Sequence, residues 1–405
     1  MKRFLALSSM LVAGVFSQTA LAETDISGFV TAGATYGDSE VKSYDGTYDD
    51  STDALTLSRL GIQISAEVNP QVSVTGQLLS KGGDPSGNFN VNADWAFATY
   101  KPTNNTSIRA GKIKLTSYLI SDYYEVGYAY PWVRPPQEVY STNPITAIEG
   151  IDALIRFNFG NNSLLIQPYA GGNHDTWAVQ PQETMRPFAD WVAFFMGMGF
   201  SQGAAEAMAA AQPAPGSVHY IQFSTKQMGG INIALSNPYF TIRAGHFSTS
   251  VYQKEFGVDG DKGAYTSAGI TADWKNIVFY SEYFKRDVEG LANAAFPNQK
   301  GYYATLGYRF GPTMIHYTRA SLADNDNPTT PSVDYPMPGV PLLQRSHTLG
   351  VRYELGSGAA FKFDVQQATP GKGTRGLFVS DPNNPALEDP SESVNLYSMA
   401  IDVIF

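Results

Sequence analysis

Tyr397-Ser398-Met399-Ala400-Ile401-Asp402-Val403-Ile404-Phe405 is the stretch on which the fold turns. In an extended chain Tyr397, Met399, Ile401, Val403 and Phe405 project to one side, and Ser398, Ala400, Asp402 and Ile404 to the other. Apolar residues on one face and mostly small or polar ones on the other are what a strand needs when lipid lies on one side and water on the other. The last edge strand of a soluble sandwich has the same period, so the rest of the chain has to decide between the two.

The opposite end separates them. Lys2 and Arg3 form a short positive region, Phe4 to Phe16 is mostly apolar, and Ala20-Leu21-Ala22 has the small-residue pattern of a cleavage site. We therefore read residues 1–22 as a signal peptide and residues 23–405 as one domain. No later segment offers about 18 consecutive apolar residues, so any crossing of a membrane falls to strands. Losing Lys2 and Arg3 takes the formal charge from -10 to -12, which disfavours a nucleic-acid partner. With no cysteine there is neither a disulfide framework nor a thiolate metal site. Aromatic residues at 13% against only 16% charged suit a sheet with an apolar outer band and aromatic girdles.

Turn chemistry sets a rhythm. Tight connections fall at Asn69-Pro70, Pro102 to Asn105, Gly160 to Asn162, Asn237-Pro238, Lys275-Asn276, Gly311-Pro312 and Gly356 to Gly358. Longer ones lie at 38–51, 81–89, 115–147, 174–217, 251–263, 287–299, 323–345 and 370–392. The intervening runs make about sixteen strands, an even number with short turns on one rim and long loops on the other. Leu60, Ile62, Ile64, Ala66 and Val68 oppose Arg59, Gln63, Ser65 and Glu67, and the same alternation recurs from Ile151 to Asn158 and from Leu349 to Leu355. Closure into a barrel removes the edges such strands would otherwise expose. The expected fold is all-β, a transmembrane antiparallel barrel with short periplasmic turns and long extracellular loops.

On this architecture and on the Tyr397 to Phe405 ending, the chain resembles general and substrate-selective porins of Gram-negative outer membranes. The resemblance implies an integral outer-membrane protein, assembled as a homotrimer of sixteen-stranded barrels. It implies that small hydrophilic solutes or ions diffuse passively through it, and that the third loop folds inward. It also implies that Tyr397, Met399, Ile401, Val403 and Phe405 are read by the barrel assembly machinery. Outer-membrane lipid and lipopolysaccharide are further partners, with Asp38, Glu40, Asp45, Asp49, Asp50 and Asp53 either solvated or holding divalent cations there.

The third long connection, 115–147, falls where an inward-folded loop belongs. In it Asp122, Tyr124, Glu125, Trp132, Arg134 and Glu138 alternate charge and aromatic rings, and prolines with Gly127 stiffen the path. Packing of a surface loop accounts for any one of these residues equally well. Wall candidates are Arg59, Arg109, Arg156, Arg243, Arg309, Arg352 and Lys362, setting a field across the lumen or salt-bridged to Asp94, Asp152, Glu282, Glu354 or Asp364. Tyr36, Trp95, Tyr100, Trp274, Tyr283, Tyr308 and Phe310 are girdle candidates. The loop 174–217 contains a helix-forming stretch, Gly203 to Ala211, either packed on neighbouring loops or forming a partial lid.

Catalysis finds little support. His174, His219, His246, His316 and His347 are dispersed without an i, i+4 metal pair, and neither a nucleophile elbow nor a phosphate loop occurs. We expect no enzyme, no cofactor and no metal. Two other classes stay open: a non-conducting barrel acting as adhesin or anchor, and a barrel hydrolase with a His beside a Ser or Asp.

Overall fold

A computed structural model describes residues 23–38, 52–83, 89–179, 192–193, 195–196, 200–210, 219–253, 257–324, 343–371, 376–378 and 393–405. The strands in chain order are β1 (Thr24–Gly37), β2 (Thr52–Asp53), β3 (Arg59–Asn69), β4 (Val72–Lys81), β5 (Val91–Thr103), β6 (Thr106–Lys114), β7 (Ala147–Phe159), β8 (Asn162–Val179) and β9 (His219–Ser236). They continue as β10 (Phe240–Gln253), β11 (Val258–Trp274), β12 (Ile277–Val288), β13 (Gln299–Phe310), β14 (Thr313–Asp324), β15 (Gln344–Gly356), β16 (Ala359–Pro370) and β17 (Val394–Ile404). All but the two-residue β2 pair antiparallel with their sequence neighbours, and β1 closes on β17 with Phe29 opposite Ile404 and Gly37 opposite Leu396. The result is a closed sixteen-stranded antiparallel barrel.

Its tight turns follow from local side chains. Asn69 Oδ1 accepts from the amides of Gln71 and Val72, and Asn237 Oδ1 from those of Tyr239 and Phe240, so each carboxamide supplies the bend itself. The start of β1 and the end of β17 lie on this short-turn rim, where Gly28 and Phe405 exchange two backbone hydrogen bonds of 2.8 and 3.0 Å. β8 and β9 run on past the wall, so the loop expected at 174–217 begins only after Val179.

The alternation divides outside from inside. Ile64, Leu306, Leu349, Met399 and Ile401 are exposed on the outer face, while Ser398, Ala400 and Asp402 between them are buried inside. Trp95 departs from the expected girdle. It lies opposite Gln77 on the inner face, under Lys114 and in step with Phe97, one strand position out of phase with the outward Tyr100.

The interior also departs from a uniformly wet lumen. In its long-loop half, Phe247, Tyr265 and Phe284 stack in series with ring centroids 5.6 and 5.4 Å apart, and Tyr303, Val251, Val258 and Met228 join the same apolar cluster. A wall with aromatics pointing inward needs something apolar to cover it, and the chain supplies residues 115–146. Beyond the barrel, Gln202–Ala210 is helical, with Ala205 and Ala209 packed on Phe195, Val192 and Met208. Ala211, the last residue of the expected helical stretch, lies outside the described residues, as do Glu40, Asp45, Asp49 and Asp50.

Candidate functional site

Residues 115–146 leave β6 and turn into the lumen. Single turns at Ser121–Tyr123 and Gly127–Ala129 reverse the path, and Pro135-Pro136 leads into a short helix, Gln137–Tyr140, whose four residues are all buried. Every anchor is a named wall group. On the β10–β13 side, Glu282 accepts from the Leu119 amide (2.9 Å) and the Tyr140 hydroxyl (2.8 Å), and Arg243 Nη1 donates to the carbonyls of Tyr118 and Leu119. The Trp132 indole donates to Thr305 and Thr318 at 3.0 and 2.9 Å.

The far wall holds the loop's tip. Lys362 is fully buried, and its Nζ donates to the carbonyls of Gly127 (2.5 Å) and Trp132 (2.9 Å) while pairing with Asp402 at 2.9 Å. Arg352 donates to the carbonyls of Tyr128 and Tyr130, and Asp364 accepts the Val133 amide at 2.8 Å. Position 127 has to be glycine, because a Cβ there would collide with the Asp402 carboxylate and the Thr31 hydroxyl. Gly350 plays a comparable part. With no side chain on β15, His316 on β14 approaches Asp364 on β16 to 3.3 Å, although without hydrogen-bond geometry.

Glu125 crosses to β3 and β4, meeting Arg59 at 3.1 Å and Lys81 at 3.3 Å, while Arg59 also donates to the Tyr130 hydroxyl. Burial would raise the Glu125 carboxyl, but the charges of Lys81, Arg59 and Lys114 prevail and hold it down to about 2. Arg243 pairs with Asp122 at 3.4 Å. Asp122 and Lys81 stand inside the cylinder with side chains 55% and 46% exposed, so water reaches the edge of the loop. The loop's described polar contacts with the wall fall on β3, β4 and β8 through β16. Of the strands outside that set, β5 to β7 present Phe97, Arg109, Asp152 and Arg156, with Arg109 bidentate on Asp152 and over the Phe97 ring.

The expected residues therefore separate. Asp122, Tyr124, Glu125, Arg59, Arg109 and Arg243 lie around the gap between loop and wall. Trp132 and Glu138 do not line it: at 1% and 0% exposure they are sealed against the wall, Glu138 hydrogen bonded by Gln344. Burial raises the Glu138 carboxyl above its ordinary value, against the lowering effect of the Gln344 hydrogen bond. Arg134 is half-buried, and its charge bears on Asp53 and Tyr124. Arg309 sits near the short-turn rim on Asp273, at 2.6 and 2.7 Å, and Arg156 is exposed. Arg352 and Lys362 hold the loop's backbone instead of facing a free lumen. Sequence reasoning missed Lys81 and Lys114, both at strand ends where alternation gives no warning, although it named Asp94, the partner of Lys114, as an ion-pair candidate.

No protein-family model matches the chain, and no characterised protein matches it in sequence. In structure it is similar to an anion-selective porin from Comamonas acidovorans (TM-score 0.55, 12% identity, covering 95% of this chain and 100% of that one). It is also similar to OmpF of Salmonella typhi in a complex with daunomycin (0.54, 13%, 95% and 98%). A third is the trimer form of OmpT, an outer-membrane protein of Vibrio cholerae (0.52, 12%, 94% and 99%). At these identities the likeness is one of fold.

Proposed function

We propose that this chain is an outer-membrane porin, a passive channel for small hydrophilic solutes that performs no covalent chemistry. The observation that carries the reading is a pair of charged side chains that face the inside of a closed barrel, stand at the edge of an inward-folded loop, and remain open to water: Asp122 and Lys81. An outward band of Ile, Leu and aromatic side chains supports the membrane location, and the fold shared with outer-membrane barrels supports it further. A hollow of about 440 Å³ on the outer face, lined by Ile64, Ala66, Val74, Gly76, Ala96, Ala98 and Ala110, supports self-association as a homotrimer through β3 to β6.

Around the gap Arg59, Lys81, Arg109, Lys114 and Arg243 face Glu125, Asp152, Asp94 and Asp122, and Arg59 and Lys81 share one carboxylate. The narrow zone therefore carries a surplus cation, and we read it as favouring anions. Planar-bilayer recording tests both statements: stepwise conductance is expected, with a reversal potential in a salt gradient on the anion-selective side. A lumen that never conducts would leave the adhesin or anchor reading in its place. For the hydrolase, which would need a His beside a Ser or Asp, the described residues place His316 3.3 Å from Asp364 without hydrogen-bond geometry.

A further inference from the structure

Two side chains of the wall each hold two connections at once. Gln344, the first residue of β15 and 3% exposed, donates from Nε2 to the Glu138 carboxyl at 2.8 Å and accepts the Leu377 amide on Oε1 at 3.0 Å. A carboxamide carries a donor and an acceptor on one carbon, whereas an ionised carboxylate or an ammonium could make only one of the two bonds. Arg286, also buried, does the same from β12: it donates to the carbonyls of Thr142 and Pro297. Glu138 and Thr142 belong to the constriction loop, Leu377 and Pro297 to the connections that follow β16 and β12.

The connection after β16 therefore returns into the mouth of the barrel. Gly376 turns it with a φ of +60°, and a Cβ there would stand 2.9 Å from Gln344 Oε1, so the position is reserved for glycine. Phe378 is 1% exposed, packed on the inward Ala368, Val394 and Leu396, and Leu377 joins this cluster to the larger one under the constriction loop. Leu57, just ahead of β3, lies on Val133 and Ala400 at one flank, and Phe296 meets Phe223 at the other with centroids 5.3 Å apart. Apolar side chains laid on an apolar wall exclude water from the faces they cover. On this side the inward Ser346, Thr348 and Ser398 are buried, whereas the inward Gln63, Ser65, Thr75 and Thr99 of β3 to β5 are half-buried.

We propose that Gln344 latches Gly376-Leu377-Phe378 onto the constriction loop as a second inward element, which seals the β15 to β17 sector of the mouth against water and confines passage to the sector of β3 to β7. The confinement rests on the channel reading. The seal does not, and would stand in a barrel that never conducts.

The chain has no cysteine, so one introduced thiol reports alone. In the purified full-length protein in detergent, a charged, water-soluble thiol reagent read by intact-mass spectrometry is expected to label Ser65→Cys and Thr99→Cys at least about thirtyfold faster than Val394→Cys or Thr348→Cys. Adding Gln344→Ala or Gln344→Glu to Val394→Cys should speed its labelling about tenfold, and Phe378→Ser at least as much, while Glu138→Gln, which keeps the acceptor, stays within about twofold. Ser65→Cys should label at the parent's rate in each of these backgrounds, which shows that the barrel has folded. In planar bilayers, bulky modification of Thr99→Cys should remove at least about half of the single-channel conductance. Val394→Cys labelled as fast as Ser65→Cys overturns the seal, and a rate unmoved by Gln344→Ala overturns the latch. Conductance unchanged by modification of Thr99→Cys overturns the confinement. A parent that shows the labelling pattern yet never conducts removes the channel reading and leaves the seal standing.

Discussion

One ammonium, that of Lys362, holds two carbonyls of the loop and the carboxylate of Asp402, which in turn accepts the Thr31 hydroxyl at 2.6 Å. Replacing it with Met leaves Asp402 buried without its cation. We predict a loss of about 3–5 kcal/mol in unfolding experiments, together with faster proteolysis between Gly127 and Trp132. Glu125 makes a pH-dependent anchor. Its folded carboxyl, at about 2, lies below the ordinary value of 4.5, so the stabilisation is complete above about 4.5 and is lost as pH falls toward 2. Conductance noise should therefore rise between about pH 4 and 2 in the parent protein, and Glu125→Gln should be noisy at every pH; a parent steady down to pH 2 would remove Glu125 from the anchor.

At the scale of the element, the loop 115–146 reaches across the cylinder, from Thr116 on Asn232 of β9 to Glu125 on Arg59 of β3, and Lys81 stands on the strand that faces its edge. Lys81→Gln is expected to move the reversal potential toward cations while Arg59 still holds Glu125, since the Lys81 side chain is 46% exposed. Bilayer recording in a salt gradient reads the shift, and an unchanged potential would place the selective step elsewhere. The strands themselves were legible in the sequence because each wall position alternates with its neighbour, from Leu60 to Val68 as from Tyr397 to Phe405. The loop's position followed from length and order alone. Its anchors did not, because Trp132 and Glu138 read from sequence as pore residues while the partners that bury them, Thr305, Thr318 and Gln344, come from strands far along the chain. The apolar half of the lumen left one local trace: Tyr283-Phe284 and Tyr302-Tyr303 put aromatics on both faces and so break the alternation.

Across the whole molecule, strength comes from a ladder without an edge, and Phe405 sits at its seam with its ring over Gly28. We predict that Phe405→Ala lowers the yield of heat-resistant, assembled protein in outer-membrane fractions; unchanged yield would remove the ending from the assembly signal. The pairing of Phe29 with Ile404 has a kinetic side as well. β1 has no permanent neighbour on that flank until β17 has been synthesised, so the contact made farthest apart along the chain is the one that seals the wall. Until then two rows of unpaired amides and carbonyls travel exposed, which makes escort during export a physical requirement of this topology.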